Sequence, residues 1–224
     1  MHRLAIYDMD KTITRTATWT PFLRHALQGR SAWRLALLPA AALAGAGYGL
    51  KLLDRGQLKE ATQRLLIGRS MTPARARALA EDFADQLLRT GLFGGAVERI
   101  EADRRAGYRL VLATASWRFY VEAIAERLGF DAVIATNSRH DARGHLLSSI
   151  EGENCYGPVK LRMIENWLAE QGIARGDAHV RFYSDHVSDA PTLAWADEPF
   201  AVNAHGPLRR LATEKGWPIL DWEY

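Results

Sequence analysis

Short apolar runs separated by helical patterns set the fold that this chain can adopt. The first, Leu4-Ala5-Ile6-Tyr7, begins three residues from the start and ends in Asp8; others cover residues 108–113, 132–135 and 180–183. Between them, apolar residues recur at helical spacing. Val121, Ile124, Ala125 and Leu128 share one face, opened by Ser116 as a helix cap and stopped by Gly129. Leu161, Ile164 and Leu168 share another, opened by Pro158, and a helix over 96–106 ends at Gly107. Strands alternating with helices of this length mean βαβ units, so an α/β fold is expected, with a parallel sheet and helices on both faces.

One stretch breaks the alternation. Residues 15–89 read as all-helical, with Leu58, Ala61, Leu65 and Leu66 on one face and Ala76, Leu79, Ala80, Phe83 and Leu87 on another. Thr72 followed by Pro73 is a helix start, and Gly91, Gly94 and Gly95 punctuate the exit. The expected organisation is a core of residues 1–14 and 90–224 carrying an insertion of residues 15–89. A length of 224 residues with 48% hydrophobic and 25% charged residues suits that size and excludes a disordered chain.

Charge separates the two parts. The net value is +3, yet residues 15–80 hold eleven Arg or Lys against Asp54 and Glu60, a local +9, so the insertion is expected to face something anionic. Within it, residues 35–50 are uncharged and interrupted by Pro39, Gly45, Gly47 and Gly49. A spanning helix needs about 20 apolar residues. This run is therefore expected to be a buried helix or helical hairpin, with a segment lying in a membrane interface as the alternative. The single Cys155 excludes a disulfide framework and a CxxC metal site. With no room for a signal peptide before the first run, a cytoplasmic location is expected, with the insertion available to the inner face of a membrane.

The residues that carry chemistry follow the strands. Ligands of an open parallel sheet bind beyond the carboxyl ends of its strands, and Asp8, Thr114 and Asp185 all stand at such ends. Asp8 and Asp10, two apart and joined by a third carboxylate, repel one another unless a hard divalent cation with oxygen ligands offsets them. No Gly-Lys-Ser/Thr phosphate loop, His-Glu-x-x-His helix or Gly-x-Ser-x-Gly elbow occurs. The seven tryptophans are scattered, so no nucleic-acid partner is expected.

Asp8-x-Asp10-x-Thr12, Thr114-Ala115-Ser116, Lys160 and Ser184-Asp185-His186-Val187-Ser188-Asp189-Ala190-Pro191 resemble, in order, the four motifs of the haloacid dehalogenase superfamily of phosphotransferases. The insertion between the first two motifs resembles that of its phosphoserine phosphatase-like branch. This resemblance implies a Rossmann-like core, an all-helical cap that sets specificity, and Mg²⁺-dependent hydrolysis of a phosphomonoester through an aspartyl-phosphate. Asp8 would be the nucleophile and Asp10 the acid and base, since one carboxylate is consumed while the other carries a proton. Mg²⁺ would be held by Asp8, the main-chain carbonyl of Asp10, Asp185 and waters, with Asp189 supporting them. Thr114, Ala115, Ser116 and Lys160 would bind the phosphoryl group. Lys160 is the one lysine between Lys59 and Lys215. His186 would line the rim, His140 and His145 would be exposed loop residues, and Cys155 has no role.

The substrate must be argued from the insertion. Phosphoserine phosphatases of this branch carry a glutamate nine residues after the nucleophile; here that position is Ala17. Arg15 and Arg64 are the candidate cap contacts to substrate, and the resemblance implies a cap arginine for a substrate carboxylate, to which Arg64 could correspond. Arg24, Arg30, Arg34, Lys51 and Arg55 beside an apolar helix would suit anionic headgroups, at about 1 kcal/mol per basic residue. The layout also resembles bacterial members of this branch that dephosphorylate phosphatidylglycerophosphate. Two substrate classes stay open, a small phosphorylated metabolite and a lipid phosphate at an anionic membrane, on a monomer or homodimer. An inactive relative serving as a binding or regulatory module would be expected to have lost one of Asp8, Asp10, Thr114, Lys160 or Asp185.

Overall fold

β1 (His2–Tyr7) lies inside the sheet of a computed structural model that describes residues 1–222, apart from the side chains of residues 29–32. β3 (Arg109–Trp117) pairs with it in parallel on one side and β6 (Ala178–Ser184) on the other. β4 (Ala132–His140) extends one wing in parallel, and β7 (Glu198–Val202) and β8 (Ile219–Leu220) extend the other. At the far edge β5 (Leu146–Glu151) returns antiparallel to β4, and β2 (Ser70–Met71) pairs antiparallel with β5. The order is β2-β5-β4-β3-β1-β6-β7-β8.

β1 reads as one unbroken apolar run because both of its faces are covered. Ala5 and Tyr7 join the core beneath α5 (Gly94–Arg105) and α6 (Arg118–Arg127). Leu4 and Ile6 join the opposite core beneath α7 (Pro158–Glu170), α8 (Ala190–Trp195) and α9 (Pro207–Lys215).

Between β1 and α5 the chain forms α1 (Trp19–Ala26), a 3₁₀ segment (Gly29–Leu37), α2 (Leu38–Gly49), α3 (Arg55–Leu66) and α4 (Pro73–Thr90). Capping explains two of the starts. The Asp54 side chain accepts from Gln57 N while the Gln57 side chain accepts from Asp54 N, and Thr72 Oγ1 accepts from Arg75 N just before α4. The two connections of this stretch run side by side, with Arg15 N on Gly91 O at 2.8 Å and Phe93 N on Ile13 O at 3.0 Å. Phe22 of α1 stacks on Tyr120 of α6 at 4.5 Å between ring centroids, which seats the insertion on the core. β2 is the short departure from helix within it.

Three expectations are corrected. Residues 35–50 are not buried: no residue of α2 is, and Leu43, Leu50 and Leu52 are 73%, 72% and 75% exposed. Apolar residues run all around α2, so packing one side against α3 leaves the rest uncovered. No helix among the described residues is long and apolar enough to cross a membrane. The polar stretch after Ala135 is a hairpin of β4 and β5, not a loop. Its turn is closed by Asp141 Oδ1, which accepts from Arg143 N and His145 N. His140 is exposed at the end of β4, while His145 is half-buried beside Asp141. Finally, β3 runs past Thr114 through a bulge, where the register passes from Thr114↔Ala135 to Trp117↔Thr136. Ser116 therefore sits in the strand and caps no helix; Trp117 is the residue that precedes α6.

Candidate active site

The pairing of β1 and β6 continues one residue past β1, where Asp8 N donates to Tyr183 O at 2.9 Å. The chain then turns, with the amides of Thr12, Ile13 and Thr14 all directed at Met9 O and Lys11 at a φ of 60°. That turn brings Thr12 Oγ1 to Asp185 N, 3.0 Å away, and so ties the ends of β1 and β6 together. A cavity of about 220 Å³ opens there, at the carboxyl edge, lined by Asp8, Asp10, Thr114, Ala115, Lys160, Asp185 and Asp189 among others.

Lys160 rises from the first turn of α7, whose preceding residue Gly157 adopts a φ of 60° that only glycine takes without strain. Its Nζ donates to Asp8 Oδ1 at 2.8 Å and to Asp189 Oδ2 at 2.6 Å. Ser184 Oγ also donates to Asp189 Oδ2, at 2.7 Å, while Asp189 Oδ1 is buried with no partner among the described residues. Asp10 is held differently. Thr18 N and Oγ1 donate to its Oδ1 at 2.8 and 2.7 Å, and Ser116 Oγ donates to its Oδ2 at 3.1 Å. Tyr120 OH in turn lies 3.0 Å from Thr18 Oγ1 and donates to it, because the Thr18 hydroxyl proton is given to Asp10.

Four carboxylates thus crowd one buried ammonium. Burial pushes Asp8 up to about 8 despite Lys160, and Asp189 and Asp185 push the same way. Burial likewise pushes Asp185 up to about 6. Burial alone would lower Lys160, but Asp189 and Asp8 outweigh it and hold the ammonium charged. The residual negative charge and the orphaned Asp189 Oδ1 fit a cation. Asp8 and Asp185 offer carboxylate oxygens. Among the described residues no three acidic, imidazole or thiol side chains converge as a metal cage, so a main-chain oxygen and waters would complete the set. Mg²⁺ accepts such a set, because it keeps several waters.

Asp8, Asp10, Thr114, Ala115, Lys160, Asp185 and Asp189 line one cavity, with His186 on its wall, and Ser116 reaches it through Asp10. Arg15 and Arg64 do not. Arg15 Nε donates to Leu92 O, and Arg64 is exposed on a different groove with Arg34, Arg69 and Arg75. The arginine that lines the cavity is Arg55, its guanidinium 4.2 Å above the Tyr156 ring. Sequence reasoning also missed Thr18, Tyr120 and Tyr156, whose types carry no short motif. Arg30 lies outside the side chains described.

The profile of the haloacid dehalogenase-like hydrolases matches residues 5–194. The chain belongs to this family. This haloacid dehalogenase-like hydrolase is 29% identical over 224 residues to the inhibition of morphological differentiation protein of Streptomyces azureus, covering 97% of this chain and 78% of that one. The crystal structure of a protein of unknown function from Bordetella pertussis Tohama I matches with a TM-score of 0.88 and 29% identity over 99% of each chain. A probable phosphoserine phosphatase from Vibrio cholerae shares the fold, with a TM-score of 0.69 and 14% identity over 94% of this chain and 58% of that one.

Proposed function

We propose that this hydrolase is a Mg²⁺-dependent phosphomonoesterase that works through an aspartyl-phosphate on Asp8. The observation that carries this reading is Asp8 held by Lys160 at 2.8 Å in a cavity shared with Asp10, Thr114 and Asp185. Thr114 Oγ1, the amides of the β3 bulge and Lys160 would receive the phosphoryl oxygens. An Asp8 oxygen bonds to phosphorus as the bond to the substrate alcohol breaks, and Asp10 gives its proton to the departing oxygen. Asp10 then takes a proton from water as that oxygen bonds to phosphorus. The Asp8–phosphorus bond breaks, inorganic phosphate leaves and the carboxylate is restored. Bound Mg²⁺ would supply the positive charge that offsets phosphoryl and carboxylate oxygens during both displacements. Thr18 and Ser116 would orient Asp10 throughout.

Residues 15–89 would act as the cap that sets specificity, with Arg55 and Ala17 on the cavity wall. The V. cholerae fold relative is named for phosphoserine, but Ala17 offers nothing to a substrate amino group. A phosphomonoester presented at an anionic lipid surface is favoured by one observation. Of the nine exposed large hydrophobic residues among the described ones, seven lie within residues 33–52: Trp33, Leu35, Leu38, Leu43, Tyr48, Leu50 and Leu52. No Asp or Glu occurs between Asp10 and Asp54, and Lys51 is exposed among these residues, so the positive charge of the segment is not offset there. Trp and Tyr rings suit a membrane interface, and Arg55 leads from this tip into the cavity. A symmetric dimer through this face would set basic residues against their own copies.

Hydrolysis of p-nitrophenyl phosphate with Mg²⁺ tests the reaction; no rate above that of Asp8→Asn would overturn it. Co-sedimentation with anionic and neutral liposomes at low and high salt tests the surface. Salt-sensitive binding to the anionic vesicles is expected, and its absence returns the substrate to the soluble class.

A further inference from the structure

The bulge of β3 leaves main-chain groups outside the sheet ladder. The carbonyl of Ala115 is satisfied elsewhere: it accepts from Thr136 Oγ1 at 2.9 Å and from Lys59 Nζ at 2.5 Å. Lys59 comes from α3, inside the insertion, whereas Ala115 belongs to the core strand whose end faces the catalytic cavity. Lys59 Nζ also donates to Asn154 Oδ1 at 2.7 Å and lies 4.8 Å from the centroid of the Trp117 ring. The residue is 7% exposed. A carbonyl, an amide oxygen and an aromatic face are all electron-rich. An ammonium satisfies the three together, whereas a neutral amine has two N–H groups and would turn its lone pair on one of them.

We propose that Lys59 is a positioning residue whose ammonium clasps the insertion to the β3 bulge, so that seating the cap and setting the Thr114-Ala115-Ser116 backbone for phosphate are one event. The consequence for turnover rests on the phosphatase reading; the clasp itself does not. Among the described residues Lys59 has no carboxylate partner within ion-pair distance, so its charge is sensitive to its surroundings. Burial pushes Lys59 down to about 7. Asp10 from the core raises it, and on its own helix Arg55 lowers it while Glu60 raises it. Cys155 is pushed up to about 12 by burial, so it stays neutral here and adds no charge beside Lys59. The clasp is therefore complete below neutral pH and loosens as pH rises.

Two variants test this, each followed by kcat/KM against pH and by hydrogen exchange of α3 and of residues 114–118. Lys59→Met keeps the length of the side chain and removes the charge. It should lose about tenfold in kcat/KM at pH 6.5, mainly through KM, as expected for a charged hydrogen bond. Exchange in α3 should quicken while the melting temperature is kept or raised, because a buried charge is gone. Asn154→Asp places a carboxylate beside the ammonium and should move the alkaline fall in activity upward by about one pH unit or more. An alkaline limb unchanged in both variants, or α3 exchange unchanged in Lys59→Met, overturns the proposal. Should the wild type prove inactive, the phosphatase reading fails alone, and the exchange measurements still decide the clasp.

Discussion

Tyr7 and Asp8 are neighbours in the chain, and each enters a buried ionic cluster, but the two clusters differ in how their charge is balanced. Tyr7 OH donates to Asp103 Oδ2 at 2.6 Å, Tyr183 OH donates to the same oxygen at 2.8 Å, and Arg181 donates to Oδ1 at 2.6 Å. Asp103 is 1% exposed, both its oxygens are engaged, and one carboxylate faces the guanidiniums of Arg181 and Arg99. Burial beside Asp103 raises both tyrosines, so the hydroxyls remain donors. The Asp8 cluster has four carboxylates, one buried ammonium and an oxygen of Asp189 without a partner among the described residues. A satisfied cluster holds the sheet to α5. An unbalanced one at the edge of the same strand is what the proposed cation and phosphoryl group would satisfy.

The largest expected effect separates the clusters outright. Asp8→Asn should lower kcat by at least roughly 10⁴-fold, as loss of a covalent nucleophile does, without loss of melting temperature. Asp103→Ala should do the reverse. It leaves Arg181 with Glu198 alone and takes the acceptor from two buried hydroxyls, and should cost about 3–5 kcal/mol in urea unfolding, while the folded fraction retains its rate. If Asp103→Ala cost no stability, the idea of a satisfied structural cluster would fail.

Metal and pH give the next effect. A carboxyl raised from its ordinary value to about 8 contributes stability fully below about pH 4, and that contribution is lost as pH rises through 8. The protein without metal should therefore weaken between pH 5 and 8. Mg²⁺ at a hundredfold excess over its dissociation constant should restore about 2.7 kcal/mol. Thermal melts with Mg²⁺ or EDTA should show the larger gap at pH 8, and Asp8→Asn should shrink it. The smallest effect lies at the rim: Arg55→Ala should raise KM severalfold with kcat little changed, whereas Arg64→Ala should leave both alone.

Much of the core was legible because its physics is local. β1 announced itself through a strand buried on both faces, and Thr72 with Pro73 marked the start of α4 where the cap is observed. Asp8, Thr114 and Asp185 could be placed together because parallel strands deliver their ends to one edge. β5 was hidden by alternating burial across Leu146, Ser148 and Ile150, a pattern that reads as polar when its partner strand is unknown. The bulge at Ala115 and Ser116 was hidden because an extra residue in a strand leaves no mark in composition.

The sequence by itself determined the candidate reacting groups: two carboxylates two apart, a hydroxyl, a lysine and a second acidic pair, each in order along strands whose direction follows from the alternation. Only the tertiary structure decided which of the many basic residues of the insertion reach them. Along α3, Arg55 and Lys59 are four residues apart and share a face, while Arg64, nine residues from Arg55, stands half a turn round the helix at about 100° per residue. That phase is written in the sequence. Which face turns inward is not, because it depends on long-range contacts such as those of α3 with Ala115 and Asn154, residues more than fifty positions away along the chain.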